Sequence, residues 1–104
     1  MDSKDLKQRQ SSLFMNLILS FHSASMQHLG KIKSPVSGKI ERDLAQAKMS
    51  IDMLDMIQAK TSKNLSEEED KFLRHLISEA KLNYIDELNK DRAKESKKDS
   101  SEQK

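Results

Sequence analysis

Three histidines and one pair of carboxylates are the residues here best suited to chemistry: His22, His28, His75, Asp52 and Asp55. Imidazole binds zinc and moves protons near neutral pH. On a helix at 100° per residue, His22 and His28 point about 120° apart, so one helix cannot aim both at one metal. His22 and Met26 have i,i+4 spacing but sit among apolar neighbours. Asp52 and Asp55 share a flank at i,i+3, where one buried carboxyl could act as acid or base. A solvated rim, or a salt bridge to another helix, is the expected reading. Glu67-Glu68-Glu69 reads as a helix start, because acids favour the positive end of the helix dipole.

Other chemistry is thinly supported. Cysteine is absent, which removes disulfides, thiol nucleophiles and thiolate metal sites. Two glycines, Gly30 and Gly38, cannot build a nucleotide-binding loop. No Ser/His/Asp set stands out. No catalytic, cofactor-binding or metal-ligating residue is therefore assigned, and no enzyme is expected.

The elements that would position any site are helical. One Val, one Thr and no period-two alternation argue against strands. The lone Pro35 and both glycines mark the clearest break. Three helices are expected, at about 5–29, 41–60 and 66–89. Residues 1–4 are expected to be flexible, and 90–104 to be a disordered charged tail.

Gly30 should end the first helix in a left-handed conformation. That helix has a narrow polar stripe, Asn16, Ser20, Ser23 and Gln27, and is otherwise apolar, which predicts burial. The second helix carries Leu44, Ala47, Ile51 and Leu54 on one face and Met49, Met53 and Met56 nearly opposite. Ser66 and Glu69 form a capping box that starts the third helix. Its apolar face comprises Phe72, Leu73, Leu76, Ile77, Ala80, Tyr84 and Leu88. Glu67–Lys71, Asp70–Arg74 and Asp86–Lys90 are favourable i,i+4 pairs.

At 104 residues, 35% charged and with a net charge of +2, the chain is one small domain without a strong electrostatic bias. Nucleic acid is therefore not an expected partner. No apolar run reaches membrane-spanning length. Leu13–Phe21 followed by Ser23-Ala24-Ser25 has the outline of a secretory signal, but Asp2 and Asp5 nearly cancel Lys4, Lys7 and Arg9, so a cytoplasmic location is expected.

A three-helix monomer would leave the Met face and part of helix one in water, as a patch soluble monomers rarely carry. The expectation is a homodimer, or else an unidentified protein partner. The expected contact surface is Met15, Leu19, Met26, Met49, Met53 and Met56. The competing reading is a ligand- or nucleic-acid-binding regulator using the basic 31–39 loop (Lys31, Lys33, Lys39).

The motifs resemble a bacterial family. They are Phe14, Leu29-Gly30, Ser34-Pro35-Val36-Ser37-Gly38, Leu44-Ala45-Gln46-Ala47-Lys48, Ile51-Asp52-Met53-Leu54 and, above all, Lys60-Thr61-Ser62-Lys63-Asn64-Leu65-Ser66-Glu67-Glu68-Glu69. The chain resembles the DUF1844 domain, whose function is unassigned, over about Leu13 to Tyr84. The resemblance implies a helical domain in the bacterial cytoplasm and supplies no activity or cofactor. The family's turn usually reads Lys-Thr-x-Gly-Asn-Leu. Lys63 replaces that glycine, and the positive-φ role is expected to pass to Asn64. Lys60, Thr61, Asn64, Ser66 and Glu69 read as an architectural turn, with docking as its second use.

Overall fold

A computed structural model describes the backbone of residues 2–102 and the side chains of residues 2–97. It contains three α-helices and, among the described residues, no strand: α1 (Ser3–His28), α2 (Leu44–Lys60) and α3 (Glu67–Glu102). Each helix packs against the other two.

Local capping sets most of the boundaries. Asp2 accepts from Asp5 N–H at 2.9 Å and starts α1 two residues before the expected Asp5. At the other end, Gly30 takes φ +78°. Its N–H donates to Gln27 O, and Lys31 N–H donates to Met26 O, the paired bonds of a Schellman turn. Asp43 accepts from Gln46 N–H and starts α2, so residues 41–43 belong to the loop and not to the helix expected there. Ser66 and Glu69 exchange bonds of 3.1 and 2.8 Å, completing the expected capping box.

Two expectations need correction. The helix expected to end near Asn89 runs to Glu102. No Gly or Pro follows Gly38, and Lys, Glu, Arg and Ala are all good helix formers. From Arg92 to Lys97 every residue is exposed. Met1 and residues 103–104, part of the segments expected to be flexible or disordered, lie outside the described residues. The second correction concerns the positive φ, which stays at Lys63, at +67°, and does not pass to Asn64.

The core is Ile18 of α1, Leu54 and Ile57 of α2, and Leu73, Leu76 and Ile77 of α3, flanked by Phe14, Phe21, Leu65 and Phe72. The face predicted for α3 is the one that turns inward. The expected burial of most of α1 is not met. Within that helix only Ile18 and Ser25 are buried, whereas Leu6, Leu13, Leu17 and Leu19 are exposed. Two neighbours can cover only part of its circumference.

Candidate functional site

Large apolar side chains are exposed on all three helices and on the loop between α1 and α2, within a surface that is otherwise mainly polar and charged. Met49, Met53 and Met56 are 56, 37 and 46% exposed. They lie on the side of α2 away from Ala47, Ile51 and Leu54, as the spacing predicts. The three α1 residues expected to join them sit elsewhere. Leu19 is exposed, but Met15 and Met26 are half-buried. At 100° per residue all three fall on the flank of His22. His22 reaches Glu79 of α3, so these residues border α3.

Leu13 and Leu17 occupy the opposite flank of α1, next to α2, and are 54 and 47% exposed. The sequence predicts their burial with the rest of the apolar surface of α1. The missing information was which flank α3 would cover.

The imidazoles are not gathered into a site. His22 Nε2 is buried 3.4 Å from Glu79 Oε1 without hydrogen-bond alignment, and His75 Nε2 lies 3.5 Å from Glu79 Oε2. Among the described residues no group of three or more His, Asp or Glu is placed to hold a metal ion. Asp52 pairs with Lys48 within α2 at 2.9 Å, and Asp55 pairs with Lys81 of α3 at 3.0 Å. Both therefore take the rim and bridging roles expected of them.

The strongest electrostatic feature was not foreseen. Glu87 is buried at 6% exposure and accepts from Lys31 (2.8 Å), Arg42 (2.9 Å) and Lys90 (2.8 Å). Arg42 also donates to Glu87 O and to Asp91, and Lys31 donates to Asp86. The bonds from Lys31 and Lys90, with help from Arg42, hold the Glu87 carboxyl down to about 2 despite burial. Lys31 is raised in turn by Glu87 and Asp86. This clasp fastens the loop between α1 and α2 to α3. One sequence signal for it existed: Glu87 lies seven residues after the buried Ala80, on the apolar face of α3.

The loop itself is ordered by Ser34, which is buried. Its hydroxyl accepts from Val36 and Ser37 N–H, its N–H donates to Lys39 O, and its carbonyl accepts from Gly38 N–H. Lys33 and Lys39 remain exposed at this turn.

At the other end of the bundle, the Lys60–Ser66 turn closes α2 and opens α3. Thr61 Oγ1 donates to Ile57 O at 2.7 Å, and Asn64 N–H donates to Thr61 O. Ser66 N–H holds the Glu69 carboxyl below its usual range, against the cost of partial burial. Lys60 and Asn64 are exposed. Two open clefts of about 720 and 640 Å³ flank this turn and share Thr61, Leu65 and Ser66.

Most of these features lie within one stretch that matches a known family. Residues 11–86 match the domain of unknown function DUF1844. The chain belongs to this family. The match spans the Schellman turn, the Ser34 loop, α2, the Lys60–Ser66 turn and α3 as far as Asp86. No curated protein and no solved structure matches the chain. Among the described residues, no helix is long and apolar enough to cross a membrane.

Proposed function

We propose that this DUF1844 chain is a non-catalytic, self-associating protein-interaction module of the cytoplasm. The observation that carries the reading is the set of exposed methionines on α2, opposite its core face. Flexible thioether side chains adapt well to a facing protein surface. The polar groups support the same reading. The carboxyl with the largest shift, Glu87, is fully engaged in fastening a loop. The clefts beside the Lys60–Ser66 turn are open, and Thr61, Ser66 and Glu69 are engaged in capping. A regulator that reads nucleic acid through the 31–39 loop is the less favoured reading, since Lys31 is already paired with Asp86 and Glu87.

Met53→Glu tests the proposal by sedimentation. The variant should keep its helical spectrum and sediment as a monomer where the parent sediments as a dimer. An unchanged dimer would refute the role of the methionine face. Mixed DNA or RNA added at low and high salt tests the other reading, which requires a salt-sensitive complex.

A further inference from the structure

We infer that the partner of this surface is a second copy of the chain, docked through the α1–α2 face so that four helices pack across a two-fold axis. The inference rests on the self-association proposed above and specifies its geometry.

Both helices of that face carry a seam with the spacing of a coiled coil. On α1 it runs Leu6, Leu13, Leu17, Ser20 and Ala24; on α2 it runs Met49, Met53 and Met56. Steps of seven, or of alternating four and three, keep a side-chain row facing one partner helix. Ser20 and Ala24 are small, which lets a facing helix come close. None of these residues belongs to the core cluster.

The two seams border the same groove. On α1, His22 marks the flank toward α3, and Leu17 points about 140° away from it. On α2, Asp55 marks the flank toward α3 through Lys81, and Met53 points about 160° away from it. Both rows therefore lie on the side of the α1–α2 pair that α3 leaves uncovered.

Charge and area fit a second copy. From Gln10 to Gly30 there is no Asp, Glu, Lys or Arg, although the chain is 35% charged. The α1 row from Leu13 to Ala24 can therefore meet its own image without repulsion, and a two-fold axis brings each patch against itself, while the exposed Lys60 continues the α2 row at its end. The exposed parts of the Leu and Met side chains offer roughly 500 Å² per copy, so a pair buries about 1,000 Å², the least a specific interface needs.

The absence of cysteine makes the test clean. Single variants Leu13→Cys, Leu17→Cys, Met49→Cys and Met53→Cys are treated with a short bis-maleimide linker. Leu82→Cys and Val36→Cys, 68 and 96% exposed in the parent residues, serve as controls. Solution mass is measured alongside. Linked dimers from the seam variants at several times the control level are expected. A dimer mass with links no more frequent at the seam than at the controls overturns this geometry and leaves self-association standing. A monomer mass at every concentration overturns both.

Discussion

Lys31 Nζ donates to Glu87 Oε2 at 2.8 Å across 56 residues of sequence, joining the turn that ends α1 to the middle of α3. Arg42 reaches the other oxygen of the same carboxylate from the far end of the loop. One buried acid thus ties both ends of a fifteen-residue connection (29–43) to the bundle. Long loops cost entropy to fix, and this clasp offsets part of that cost.

Replacing Glu87 by Gln leaves Lys31, Arg42 and Lys90 facing an uncharged group. Chemical denaturation should show a loss of about 2 kcal/mol, below the full value of a buried pair because Arg42 and Lys90 are partly exposed.

The clasp also sets an acid limit. The Glu87 pKa falls on folding from its ordinary 4.5 to about 2. Its contribution to stability is complete above pH 4.5 and is lost as the pH falls toward 2. Denaturation midpoints measured between pH 6 and 2 should decline through that window. In Glu87→Gln the decline should be visibly shallower.

Lys63 holds φ +67°, a conformation that favours glycine. Lys63→Gly should raise stability by about 0.5–1 kcal/mol, the released strain exceeding the added chain entropy. Gly30→Ala should do the reverse and lose about 1–2 kcal/mol. Gly30 takes φ +78°, and an added Cβ would stand 3.4 Å from Arg42 Cβ, an ordinary contact, so the cost comes from the backbone conformation. Thermal melts of the two variants check both signs.

Ser66→Ala removes half of the capping box and leaves Glu69 N–H without its acceptor. A loss of about 1 kcal/mol is expected in denaturant titrations.

Much of the fold was legible because its signals are local. Gly30, Ser66–Glu69 and the i,i+4 pairs of α3 each involve residues within a turn of one another, and the capping box alone fixes where α3 begins. The α3 core face was legible because Leu73, Leu76, Ile77 and Ala80 repeat at helical spacing. What could not be read depends on neighbours. Leu13 and Met15 are equally apolar, but α3 covers the flank of Met15 and leaves Leu13 in the open. Glu87 resembles any acid of a charged helix until Lys31 and Arg42 arrive from a distant loop. Lys63 kept its positive φ because the capped ends of α2 and α3 dictate the path between them, and the substituted side chain must follow.

Light scattering of the unaltered chain, from low to high micromolar, tests self-association most directly. The account predicts a mass near about 24 kDa, twice the 12.0 kDa of one chain. A constant mass near 12 kDa from a fully helical sample would contradict it.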